Sequence, residues 1–159
     1  MEASPADRNR ATIRRLYEAL DRHDGETMAA CYRADASFRD PAFGELDGER
    51  AGAMWRMLTS RAEDLDVELE SHEADERTGR AHWIARYTFT TTGRKVVNDV
   101  RAEFRFDDEG RIAEHIDRFS FWAWSRQALG PLGLALGWTP ILPLLTRRRA
   151  HADLDRFSA

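Results

Sequence analysis

The sequence holds one cysteine in 159 residues, Cys31, which excludes an internal disulfide and makes a reducing compartment the default. It holds one lysine, Lys95; the other basic residues are arginine, and with the many alanines this reads as codon bias in a GC-rich, bacterial genome. Excess positive charge is also missing. The formal net charge is -4, so nucleic acid is not an expected partner, because phosphate binding needs a basic surface. The stretch from Met1 to Arg15 has no apolar run and cannot serve as a secretory signal. The one long apolar run, 129–145, is broken by Gly130, Pro131, Gly133, Gly137, Pro140 and Pro143, too often for a spanning helix. His23, His72, His82 and His151 lack partners at metal-ligand spacing. A soluble, cytoplasmic protein with no metal and no cofactor is therefore expected.

What is present is the composition of a globular domain, 42% hydrophobic and 10% aromatic, with charges of both signs mixed along the chain. Ser4-Pro5-Ala6-Asp7 is a helix start: serine caps, proline suits the first turn, and the acid sits at the positive end of the dipole. Ile13, Leu16, Tyr17 and Leu20 follow at helical spacing. Asp24 caps a short second helix carrying Met28, Cys31 and Tyr32, and 36–40 form a brief strand stopped by Pro41. Asp47 caps a third helix with Ala51, Met54, Trp55 and Leu58 on one side. From Leu65 the period changes to two. Trp83, Ala85 and Tyr87 share one face; so do Asn98, Val100, Ala102 and Phe104, and then Ala113, His115, Asp117, Phe119 and Phe121. Turns fall at Thr92-Gly93 and Asp107-Gly110. The pattern predicts an α+β fold: a curved antiparallel meander with N-terminal helices enclosing an apolar pocket, and a C-terminal helical tail. A cone domain over 1–125 carries an extension over 126–159, whose helices start at Ser125 and at Thr139-Pro140.

Three segments carry a family likeness: Tyr17 to Gly25, Asp35 to Pro41 with Gly48 following, and Phe104 to Ile112. Together with the element order, they resemble the nuclear transport factor 2-like superfamily, in its SnoaL-like and ketosteroid-isomerase-like branch, over the first 125 residues or so. The resemblance implies a cone whose apolar sheet face looks inward onto a ligand. It also implies cofactor-independent acid–base chemistry (isomerase, cyclase or dehydratase-like) on a polyketide, steroid or terpenoid-like molecule, or a ligand-binding or dimerisation module without catalysis.

By this resemblance Asp40 stands where ketosteroid isomerases keep their proton-shuttling carboxylate. A carboxylate in an apolar pocket has its charged form disfavoured and can exchange protons near neutral pH; the alternative is an Asp that only caps a turn before Pro41. The isomerase's tyrosine position is Leu16, with Tyr17 one place away and turned by about 100° on a helix. Its oxyanion-holding acid position is Ala102. Asp117 stands where limonene epoxide hydrolases carry an acid, but their partner arginine and second acid fall on Trp83 and Ala85. His115 and Asp117, two apart on one strand, point the same way with Cα atoms about 7 Å apart. The catalytic candidates are thus Asp40, His115 and Asp117, with a structural histidine as the alternative for His115. Tyr17, Trp55, Trp83, Tyr87, Asn98, Phe104 and Phe119 are candidate ligand contacts, and their bulk could instead fill the pocket.

The opposite sheet face, with Asp99, Arg101, Glu103 and Arg105, is a mixed charge ladder suited to a homodimer contact or to solvent. The apolar tail is expected to bring Trp138, Ile141, Leu142, Leu144 and Leu145 over the pocket mouth or a subunit interface. With Arg147, Arg148 and Arg149 behind them, a third reading is contact with an anionic membrane surface.

Overall fold

Side-chain caps begin the first three helices of the computed structural model, which describes residues 2–159. The Ser4 hydroxyl accepts from the Asp7 amide at 3.1 Å and opens α1 (Pro5–Asp21). Asp24 accepts from Thr27 at 3.0 Å and opens α2 (Gly25–Ala30); Asp47 accepts from Arg50 at 2.8 Å and opens α3 (Gly48–Arg61). Between α2 and α3 lie strands β1 (Tyr32–Asp40) and β2 (Gly44–Asp47). Strand β1 is longer than the sequence pattern predicted, and Tyr32 opens it and does not close α2. After α3 come β3 (Asp66–Ala74), β4 (Thr78–Phe89), β5 (Arg94–Phe106) and β6 (Ile112–Arg118).

These strands form one six-stranded sheet in the order β2-β1-β6-β5-β4-β3. The meander β3 to β6 is antiparallel, as expected, but β1 pairs with β6 in parallel, with Phe38 beside His115. The chain crosses through α3 to the far edge and zigzags back, so that its last strand arrives alongside β1 in the same direction. The sheet is therefore mixed, and it is not closed. Register shifts at Tyr32/Ser37, Leu69/Ser71 and Arg105/Phe106 bend it. Gly48 lets α3 start tight against β1: a Cβ there would lie 2.2 Å from the Arg33 carbonyl oxygen.

The core lies between the concave face and α1, α2 and α3. Ile13, Leu16, Tyr17 and Leu20 of α1 and Met54 and Trp55 of α3 pack on Trp83, Val100, Ala102 and Phe104 of the sheet. Along β5 the burial alternates as the period-two pattern predicts: Val100, Ala102, Phe104 and Phe106 are buried, and Arg101, Glu103 and Arg105 are exposed.

The tail begins earlier than expected. Strand β6 stops at Arg118, and Ser120, whose hydroxyl accepts from the Ala123 amide at 3.1 Å, caps α4 (Phe121–Ala128). Residue 125 therefore lies inside a helix. Phe121 and Trp124 pack on Phe89 and Val96 at one end of the sheet, a burial that a start at Ser125 would forfeit. Helices α5 (Pro131–Leu136) and α6 (Ile141–Ser158) follow. Leu154 of α6 is fully buried, Arg50 pairs with Asp155 at 2.9 Å, and His151 bonds the Phe43 carbonyl at 2.6 Å, so α6 is fastened to α3 and the β1–β2 turn. Leu142 is buried, but Trp138, Ile141, Leu144 and Leu145 are exposed and do not cover the interior.

Candidate active site

Inside the sheet's concave face runs a chain of buried hydrogen bonds. The Trp55 indole N–H donates to the Tyr32 hydroxyl at 2.9 Å, and that hydroxyl lies 2.7 Å from His115 Nδ1. His115 Nε2 lies 2.8 Å from Asp117 Oδ1. The directions follow from chemistry. An indole can only donate, so the Tyr32 proton is left for His115 Nδ1; His115 then carries its proton on Nε2 and donates it to the Asp117 carboxylate. His115 is fully buried and packed by Phe38 and Phe104, with ring centroids at 5.1 and 4.4 Å. His115 and Asp117, foreseen as one constellation, are in direct contact. Burial and the nearby Asp117 charge push the Tyr32 phenol well above its usual range.

Asp40 ends β1 and is partly buried. Its Oδ1 accepts from the amides of Ala42 and Phe43 at 2.9 and 2.5 Å, so it does cap the turn that Pro41 begins. Burial, reinforced by Asp117, raises its pKa to about 7 against the pull of those two amides and of Arg147. The parallel register explains the coupling. Phe38 sits beside His115 and Arg39 beside Ile116, so the end of β1 that carries Asp40 runs alongside the end of β6 that carries Asp117, near enough for the charge of Asp117 to act on Asp40. Two carboxylates so placed disfavour joint ionisation.

Tyr17 reaches this cluster from α1. Burial raises its phenol far above the usual range, and the charge of Asp117 adds to it. Its hydroxyl and the indole N–H of Trp83, whose rings meet at 5.1 Å, are buried without a hydrogen-bond partner among the described residues. Such orphaned groups are costly unless a ligand or water answers them.

The remaining candidates divide in two. Trp55, Trp83 and Phe104 are buried and fill the inner end of the cone. Tyr87, Asn98 and Phe119 are partly exposed at the end of the sheet where Asp40 lies, with Phe119 just past the strand expected to hold it. Tyr87 accepts from the Trp124 indole of α4 at 2.8 Å, and burial pushes its pKa up to about 12. Glu103 points out and meets Arg118 at 3.4 Å, so the only acid next to the Ala102 position faces away from the cluster. Tyr32 was missed. The alternation that runs back from Asp40 through Phe38 and Ala36 breaks at exposed Ala34, where the strand shifts register, so no period-two signal reaches Tyr32. Two open surface grooves lie elsewhere, one around Arg80, Glu103 and Glu114 and the other around Ser37, Arg39, Glu45 and Glu114.

The fold belongs to a known class. A SnoaL-like domain spans residues 13–115, well over half of the chain, which therefore belongs to the SnoaL-like family. Among solved structures it is similar to an LEH-like epoxide hydrolase of M. tuberculosis, at 20% identity and a TM-score of 0.65, covering 82% of this chain and 97% of that one. It is similar to a provisionally assigned polyketide cyclase of Xanthomonas campestris pv. campestris, at 20% identity and 0.66, covering 79% and 99%. It also resembles SalBIII, an epoxide hydrolase/cyclase-like enzyme with a role in pyran ring formation in the polyether salinomycin, at 14% identity and 0.63, covering 71% and 91%. At these identities the likeness establishes the fold. No curated protein matches the sequence.

Proposed function

We propose that this SnoaL-like chain is a cofactor-independent acid–base enzyme, of isomerase, cyclase or dehydratase type. Its substrate would be a small, largely hydrophobic molecule with a polyketide-, steroid- or terpenoid-like framework. The observation that carries the reading is the pair of carboxylates, partly buried Asp40 at the end of β1 and buried Asp117, near enough that the charge of Asp117 raises the pKa of Asp40. Asp40 titrates near neutrality, and Asp117 is held by the Tyr32–His115 chain. A general acid–base group works best with a pKa near the working pH. In this reading the substrate enters past Asp40, Tyr87 and Asn98, and places an oxygen against the unpaired Tyr17 hydroxyl and Trp83 N–H. Ionised Asp40 takes a proton from the substrate and, now a carboxylic acid, returns it at another position, so Asp40 ends as it began and no oxidant or reductant is consumed. His115 and Tyr32 act as positioning residues for Asp117. The arginine and second acid of limonene epoxide hydrolases are replaced by Trp83 and Ala85, so epoxide opening by that triad is not proposed.

The dense filling of the inner end by Trp55, Trp83 and Phe104 favours a second reading, a ligand-binding or dimerisation module without catalysis. The homodimer would use the outer ladder, where Glu103–Arg118 and Arg105–Glu114 now pair within one copy at 3.4 and 3.8 Å. A thermal-shift screen of apolar ketones, epoxides and polyketide fragments, followed by turnover assays of each hit, separates the readings. Asp40→Asn and Asp117→Asn should keep binding and lose turnover. Wild-type turnover of every hit by both variants would end the catalytic assignment.

A further inference from the structure

The tail carries a feature that the proposed chemistry does not use. Of the eleven exposed large hydrophobic residues among the described residues, eight lie between Trp122 and Leu145. Their display is built into the fold. Gly133 of α5 and Gly137, which caps its end, lie flat on α4: a Cβ at Gly133 would sit 1.9 Å from the Ser125 carbonyl oxygen, and one at Gly137 2.1 Å from the Ser125 hydroxyl. The glycine face is thus spent on close packing, and Leu132, Leu134 and Leu136 are turned outward, 43 to 56% exposed. Trp138 follows at 74%. On α6, buried Leu142 and Leu154 anchor one side, while Ile141, Leu144, Leu145 and Arg148 recur at the three- and four-residue spacing of a single outward face.

The charge of this segment matches its apolarity. In a chain of net charge -4, residues 119–152 contain no Asp or Glu but four arginines, Arg126, Arg147, Arg148 and Arg149. Arg148 and Arg149 make no ion pair among the described residues and sit one turn beyond Leu144 and Leu145. A second copy docked symmetrically on this face would bring two acid-free arginine clusters together with nothing to neutralise them. An anionic lipid surface supplies both halves of the complement: acyl chains for leucine and tryptophan, and phosphate for arginine. Among the described residues no helix is long and apolar enough to cross a membrane, so the contact lies in the interface plane.

We propose that the α5–α6 corner is a docking surface for anionic phospholipid bilayers, with Leu134, Trp138, Leu144 and Leu145 inserted among the headgroups and Arg148 and Arg149 on the phosphates. The test is co-sedimentation with vesicles of phosphatidylcholine alone and of phosphatidylcholine mixed with phosphatidylglycerol. The wild-type chain should partition to the mixed vesicles only. An arginine near such a surface contributes roughly fivefold, so Arg148→Gln with Arg149→Gln should weaken partitioning about twenty-five-fold. Leu144→Ser with Leu145→Ser should weaken it more than tenfold. All four side chains are exposed, so unchanged melting would show that the variants are folded. Absence of sedimentation with mixed vesicles, or equal binding to both kinds, would overturn the proposal. So would a concentration-dependent dimer in light scattering that Leu144→Ser dissociates.

Discussion

Replacing Asp40 by Asn tests the electrostatics of the interior without any substrate. The side-chain oxygen that accepts from Ala42 and Phe43 is retained in Asn, so the turn keeps its cap. What changes is the proton. The carboxyl titrates at about 7 in the folded chain against 3.8 for an ordinary Asp. Below the ordinary value both folded and unfolded states hold the proton. Between the two values the unfolded chain has lost it and the folded chain keeps it, so stability falls as pH rises, and the loss levels off above about 7. Between pH 5 and pH 8 the full shift amounts to about 2.5 kcal/mol; the partial exposure of the carboxyl brings this to about 2 kcal/mol. Urea denaturation followed by tryptophan fluorescence should therefore show Asp40→Asn gaining on wild type by that amount between the two pH values. Parallel pH dependence of the two proteins would refute the burial argument, and with it the claim that Asp40 is poised for proton exchange.

Two further perturbations probe packing. Tyr32→Phe removes the hydroxyl that joins Trp55 to His115 and leaves two buried polar atoms unpaired. It should cost about 1–3 kcal/mol in chemical denaturation, and Trp55→Phe should cost less in that background than in wild type. Leu154→Ala cuts a cavity under α6 and should cost about 2–5 kcal/mol; a change below about 0.5 kcal/mol would mean that the tail is not part of the folded unit.

The sequence by itself determined what depends on neighbours along the chain. Ser4, Asp24 and Asp47 cap the helices they were expected to cap, because a cap is a contact across three residues. The period-two pattern separated the inward faces of β4 and β5 from the charged outer face, and the spacing of His115 and Asp117 put both on one side. The Asp40–Pro41 pair marked the end of β1, where the carboxylate stands. The tertiary structure decided what joins distant segments. The parallel pairing of β1 with β6 depends on the crossover through α3, and it brings the end of β1 with Asp40 alongside the end of β6 with Asp117. Tyr32 and His115 are 83 residues apart, so no local pattern connects them, and their bond fixes which ring nitrogen of His115 faces Asp117. The tail was legible as apolar and cationic, but its exposure was not. Whether a leucine points in or out depends on what its helix packs against, and here Gly133 and Gly137, packed tightly against α4, turn the leucines of α5 outward.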